Sequence, residues 1–131
     1  MNNTYSRDYD LSQHPAMPVA DVQLFNLKTD TSTDSISAII DSGADNSIFP
    51  VNYLRQISAR RLLRKARMTG IYGISEEVEL YMVGIRIGMI EVTGINVIAD
   101  KRNRDAIIGR DVLNRLIVTL DGLAQVMDMR D

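Results

Sequence analysis

Apolar and polar residues alternate over much of the chain, with the two-residue period of strands whose side chains face opposite sides of a sheet. From Val19 to Leu27 the alternation puts Val22, Leu24 and Asn26 on one side and Gln23, Phe25 and Leu27 on the other. The polar stretch Lys28 to Ser35 then predicts a hairpin turn, and Ile36 to Asp41 its return strand. A second alternation sets Val78, Leu80 and Met82 against Glu77, Glu79 and Tyr81 and continues through Val83 to Ile87. Gly88 turns that strand, and Ile90 to Ala99 returns, with Gly94 predicting a bulge or bend. Near the C-terminus Ile117 to Leu120 and Leu123 to Met129 flank Asp121-Gly122, a strong hairpin dipeptide. Helical spacing is confined to Val51–Ile57, entered through Pro50, and Arg110–Arg115, where Val112, Leu113 and Leu116 can share a face. Residues 1–18 are rich in Asn, Ser and Asp and read as a mobile leader, ahead of one domain spanning 19–131.

One stretch stands out against this pattern. Ala38-Ile39-Ile40 runs straight into Asp41-Ser42-Gly43-Ala44-Asp45. A carboxylate at the end of an apolar strand is costly unless it is hydrogen-bonded or shares a proton. Gly43, without a Cβ, lets the backbone bend sharply behind it. The plainer reading is an ordinary Asp-Ser-Gly turn, and the tripeptide alone supports that reading better. Two other segments bear on the choice. Met68-Thr69-Gly70-Ile71-Tyr72-Gly73-Ile74 brackets two bulky apolar residues with glycines and predicts the tip of a long hairpin. Ala106-Ile107-Ile108-Gly109 is a short buried run followed directly by Arg110-Asp111.

Composition narrows the chemistry. At 131 residues and 45% hydrophobic, the chain has room for one domain with a real core. The absence of cysteine excludes disulfides, zinc–thiolate sites and a cysteine nucleophile. The single histidine, His14, lies beside Pro15 in the polar leader, which argues against a Ser-His-Asp triad or a histidine metal site. Carboxylates are what remain for acid–base work. A net charge of −2 gives no field favouring nucleic acid. The basic run Arg60, Arg61, Arg64, Lys65 and Arg67 reads as a solvated face or loop, because no aromatic or groove-reading partners accompany it. No apolar run reaches membrane-spanning length, and the N-terminus lacks a secretory apolar region. A soluble, cytoplasmic protein without nucleic-acid or membrane partners is the expectation.

Taken together, three segments in order resemble the retropepsin-like aspartic proteases, the single-domain family of retroviral proteases and their cellular and bacterial relatives. Asp41-Ser42-Gly43-Ala44-Asp45 is similar to the family's Asp-Thr/Ser-Gly-Ala-Asp catalytic loop. Met68 to Ile74 looks like its flap tip, and Ile107-Ile108-Gly109-Arg110-Asp111 like its Ile-Ile-Gly-Arg-Asn/Asp element ahead of a helix. The resemblance covers Val19 to Leu120. It implies an all-β, single-domain, closed barrel-like acid-protease fold with a flap hairpin and one short C-terminal helix. It also implies a homodimer, a polypeptide substrate, and neither metal nor cofactor.

Asp41 is implied as the catalytic acid; with one Asp-Ser-Gly per chain, the second acid comes from a second copy. Ser42 is implied to hydrogen-bond across the dimer axis, and Gly43 to present its backbone to substrate. Asp45 is implied to take a bidentate bond from Arg110 inside the fold. Met68, Thr69, Gly70, Ile71, Tyr72, Gly73 and Ile74 would cover the cleft, and Ala44, Ile48, Ile107 and Ile108 would wall apolar pockets. Departures are visible. Ser42 stands where viral members usually have Thr, and Ile71 and Tyr72 make a bulkier tip. The chain also continues beyond Leu120 into another strand, whereas viral members end in the one that builds the dimer sheet. The competing reading keeps the fold but makes it a dimeric peptide-binding module with little or no hydrolysis.

Overall fold

The computed structural model describes residues 2–70 and 72–131. In chain order the elements are β1 (Thr4–Asp8), β2 (Val19–Phe25), β3 (Ile36–Ile40), β4 (Ile48–Pro50), α1 (Val51–Gln56) and β5 (Arg60–Thr69). There follow β6 (Ser75–Ile87), β7 (Ile90–Asp100), β8 (Ala106–Ile108), α2 (Arg110–Leu113), β9 (Ile117–Asp121) and β10 (Val126–Arg130). The fold is all-β with two short helices among the described residues, and no helix there is long and apolar enough to cross a membrane.

The two long alternating segments pair as their periodicity predicts. β2 meets β3 from Val19↔Ile39 to Val22↔Ile36, and β6 meets β7 from Leu80↔Ile98 to Ile87↔Ile90. Strands β2, β3, β8, β4, β7 and β6 follow one another around a barrel, and a further β2–β6 pairing at Gln23↔Arg86 closes it. The inward faces meet in one core in which Val22, Leu24, Phe49, Leu54, Ile85 and Ile90 are fully buried. Gly94, at φ +69°, is the extra residue of a bulge: Val83 opposes Ile95 while Ile85 opposes Val92. Gly84 makes room for the Phe25 ring, which a methyl group there would meet at 2.2 Å. The Arg86 guanidinium lies 4.0 Å from the centre of the same ring, a cation–π contact. β5 extends the sheet beyond β6 as a hairpin outside the barrel.

The N-terminal segment corrects the sequence reading. Residues 1–18, expected to be a mobile leader outside the domain, supply β1, which pairs with β10 from Thr4↔Arg130 to Asp8↔Val126. Tyr9 N then donates to Gln125 O at 2.9 Å, and Asp10 bridges to Met17. β1 is therefore part of the folded domain. The physical reason lies at the other end of the chain. Met127 and Met129 of β10 are fully buried, and Tyr5, opposite Met129, extends that apolar face. The C-terminal turn is also wider than Asp121-Gly122 suggests. Asp121 Oδ1 caps Ala124 N at 2.9 Å, Gln125 closes the loop at φ +56°, and the return strand starts at Val126, not Leu123.

Candidate active site

The site is built where two strands end together. β3 and β8 run parallel, with Ala38↔Ala106, Ile39↔Ile107 and Ile40↔Ile108 in register. Asp41 follows β3 and remains tied to that junction, since its amide donates to Ile108 O at 3.0 Å. Gly43 N then donates to Asp41 Oδ1 at 2.8 Å, and Ala44 N to Asp41 O at 3.2 Å. A methyl group on Gly43 would lie only 3.1 Å from that same Oδ1, so the tight turn behind the carboxylate favours glycine. Asp41 is half-buried, Ala44 is half-buried, and Ser42, Gly43 and Asp45 are exposed. Among the described residues Oδ1 alone of the Asp41 carboxylate is engaged, leaving Oδ2 open at the barrel end.

Gly109 to Asp111 hold this loop from the other side. A methyl group at Gly109 would come within 2.8 Å of the Asn46 carbonyl and 2.9 Å of Ala44 O, so the two backbones touch. Arg110 N donates to Ala44 O at 2.9 Å. Ser47, fully buried, donates its hydroxyl to Asp111 Oδ1 at 2.7 Å and its amide to Asp111 Oδ2 at 2.9 Å. The same hydroxyl accepts from Gly109 N at 3.0 Å. Every polar group of this buried knot has a partner, as such groups require. Sequence alone assigns Ser47 no role beyond an extended path and does not pair it with Asp111, the last letter of a motif. Its one local signal is an acid in the first turn of a helix, which reads as a favourable dipole contact rather than a clamp.

Arg110 differs from the expectation in two ways. Its Nη1 donates to Ser42 O at 2.8 Å and its Nη2 to Asp45 Oδ1, so the fork straddles the loop and does not grip one carboxylate twice. Nor is the pair inside the fold: the Arg110 and Asp45 side chains are 43% and 80% exposed. The loop stands out from the barrel end, and Asp45 lies on its solvent side.

A cleft of about 360 Å³ lies between the β5–β6 hairpin and the loop after β7, and Asp41 is not among its lining residues. Ile39, Ile48, Ile98 and Ile107 line its floor, with Met68 and Val78 from the hairpin. Ile48 and Ile107 thus stand where pocket walls were expected. Ile108 does not: successive strand residues face opposite ways, and Ile108 is fully buried in the barrel core. Ala44 also lies outside this lining.

Charge pairs tie the cleft rim. Glu79 accepts from Lys101 Nζ at 2.6 Å and Arg61 Nη1 at 3.2 Å, and these cations, Lys101 first, hold its carboxyl below the usual range. Burial by itself pushes Asp100 up. Bonds from the Arg104 side chain and from the Arg102 and Arg104 amides outweigh it and leave Asp100 lowered.

The hairpin tip is closed by Gly70 N to Ile74 O at 3.0 Å, Gly73 N to Gly70 O at 3.0 Å, and a Thr69–Ser75 hydroxyl pair at 2.8 Å. Gly73 has φ +74°, a conformation that favours glycine. Met68 is half-buried against the cleft, while Thr69, Gly70 and Ile74 are exposed and Tyr72 is 86% exposed. Ile71 lies outside the described residues. The hairpin stands beside the cleft, and its tip carries apolar side chains that nothing in the chain covers among the described residues.

No protein-family model and no curated protein matches the sequence. Solved structures do match the fold. One is a retropepsin-like aspartic protease from Rickettsia conorii, with a TM-score of 0.66 and 11% identity over 99% of this chain and 92% of that one. Another is EIAV protease complexed with the inhibitor HBY-793, with a TM-score of 0.55 and 22% identity over 83% of this chain and 93% of that one. The chain has the retropepsin-like fold.

Proposed function

We propose that this retropepsin-like chain is an aspartic endopeptidase that works as a homodimer, each copy supplying one Asp41 carboxylate. Peptide hydrolysis by carboxylates needs one ionised acid as base and one protonated acid as donor. Two carboxyl groups about 3 Å apart resist ionising together, which keeps one proton on the pair. The ionised Asp41 takes a proton from the water held between the two acids. The water oxygen bonds to the peptide carbonyl carbon as Asp41 of the second copy passes its proton to the carbonyl oxygen. Collapse of the tetrahedral intermediate breaks the C–N bond, and a proton from the pair goes to the leaving nitrogen.

The observation that carries this reading is Asp41 at the joint end of parallel β3 and β8, with Gly43 N on Oδ1 and Oδ2 open. Ser42 and Gly43 expose hydroxyl and backbone groups beside it, for contact with the second copy and with an extended substrate. The apolar cleft floor fits hydrophobic substrate side chains. The hairpin from Met68 to Ile74 acts as a flap, with Tyr72 and Ile74 closing over bound peptide.

Incubation with a peptide pool tests the reading. Wild-type protein cleaves peptides, and Asp41→Asn folds normally without cleaving. An excess of Asp41→Asn chains poisons the wild type, because mixed pairs lack one acid. Turnover that survives Asp41→Asn overturns the mechanism. Tight peptide binding by wild type without turnover favours the binding module instead.

A further inference from the structure

We infer that a pocket on the flank of the β5–β6 hairpin binds the hydrogen phosphate ion, an oxyanion that keeps one hydroxyl. The inference stands apart from the peptidase reading and concerns a surface that no step of it uses.

The pocket encloses about 280 Å³ where β5, β7, the end of the acid loop and α2 come together. Arg64 comes from β5, Gly94 and Asn96 from β7, Asn46 from the loop, Asp111 from α2 and Arg115 from just beyond it. None of them lines the cleft over Ile39 and Ile107. The β7 bulge opens the wall: a methyl group on Gly94 would meet no atom within 4 Å.

Charge says what the pocket takes. Two guanidinium groups line it against one carboxylate, and that carboxylate is already engaged by the Ser47 hydroxyl and amide and by Val112 N. Neither Arg64 nor Arg115 pairs with an acid among the described residues. Arg115 Nη1 donates to Thr93 O at 2.8 Å, which fixes the side chain and leaves its other N–H groups for a ligand. A planar guanidinium fork suits the paired oxygens of an oxyanion.

Asn96 narrows the choice of anion. Its Oδ1 is buried and accepts no hydrogen bond, alone in this among the side-chain atoms of the described residues. A buried polar atom without a partner calls for a bound molecule to supply one. An amide oxygen only accepts, so a bare anion beside it would repel it. The ligand must bring a hydrogen of its own. Near neutral pH hydrogen phosphate carries one hydroxyl beside its charged oxygens, whereas sulfate and simple carboxylates carry none. A water molecule would satisfy Asn96 and leave both arginines without a counter-charge. Hydrogen phosphate meets both needs: its charged oxygens accept from Arg64 and Arg115, and its hydroxyl donates to Asn96 Oδ1. Seated there, it ties the hairpin to the segment that ends the acid loop.

Calorimetric titration with sodium phosphate and with sodium sulfate, at matched ionic strength and neutral pH, tests the inference. Phosphate is expected to bind saturably, about tenfold or more tighter than sulfate, the effect of one hydrogen bond to a charged group. Arg64 is exposed on an edge strand, so Arg64→Ala keeps the fold by circular dichroism and weakens phosphate by about tenfold or more. Asn96→Ala brings phosphate down to the affinity of sulfate. Amide hydrogen exchange slows at Gly94 to Asn96 when phosphate binds. Wild type that binds no phosphate saturably overturns the inference without appeal to any variant. So does sulfate bound as tightly as phosphate, phosphate affinity untouched by Arg64→Ala, or protection confined to other strands. Peptide cleavage enters none of these measurements, so the peptidase reading and the phosphate site stand or fall separately.

Discussion

Asp111 accepts both donors of Ser47, the hydroxyl at 2.7 Å and the amide at 2.9 Å, and so fastens the end of the Asp41 loop to the start of α2. Ser47→Ala strips a partner from Asp111 Oδ1 and leaves Gly109 N without its acceptor in a buried setting. The expected loss is about 1–3 kcal/mol, the usual cost of an unsatisfied buried group. Urea unfolding reads it as a lower midpoint at unchanged slope.

Two glycine substitutions separate fold from site. Gly109→Ala forces a methyl group against the Ala44 and Asn46 backbone, and Gly84→Ala drives one into the Phe25 ring. Each overpacks the interior at about 1–3 kcal/mol or more. Gly109→Ala moves the acid loop itself, so turnover per folded molecule falls. Gly84→Ala lowers the melting temperature and leaves turnover per folded molecule near wild type.

Arg110 positions the loop more than it stabilises the protein. As an exposed pair with Asp45 it contributes below about 1 kcal/mol. Arg110→Ala therefore shifts melting little and lowers kcat more than it raises KM, because Ser42 loses the bond that holds its carbonyl. Arg110→Lys fails to rescue, since one ammonium does not reproduce a fork spanning Ser42 and Asp45. A melting temperature that falls steeply for Arg110→Ala runs against this assignment.

Asp100 contributes to acid sensitivity. Its folded carboxyl binds a proton less readily than the same group in the unfolded chain, whose ordinary value is 3.8. The contribution is thus present above that value and lost as pH falls through the lower folded value. Asp100→Asn flattens stability against pH below about pH 4, as read by thermal melts across a pH series. An acid limb as steep as that of wild type rejects Asp100 as a contributor.

Legibility in the sequence depended on how local each cause was. The β2–β3 and β6–β7 hairpins, the Gly94 bulge and both short helices follow from alternation, glycine and proline within a few residues, and all are present. β1 was hidden because Thr-Tyr-Ser-Arg-Asp is polar and becomes a strand only against β10, at the far end of the chain. Ile107 and Ile108 are identical in type, and only the pairing of β8 with β3 decides which one faces the cleft. Arg110 was expected inside because it follows a buried run, but the loop it grips projects outward. The Ser47–Asp111 knot joins residues 64 apart, a distance over which spacing carries no signal.

That separation also orders events in time. Ser42 and Arg110 are 68 residues apart, and the parallel join of β3 to β8 spans the same interval. Such non-local pairings form slowly, after the closure entropy of a long loop has been met. A nascent chain that has emerged only as far as β7 already contains Asp41, but lacks the bonds from Ile108, Arg110 and Asp111 that fasten its loop. In the proposed enzyme, that acid stays inert until β8 docks. The topology acts as a built-in delay, keeping the chemistry latent until most of the barrel has formed.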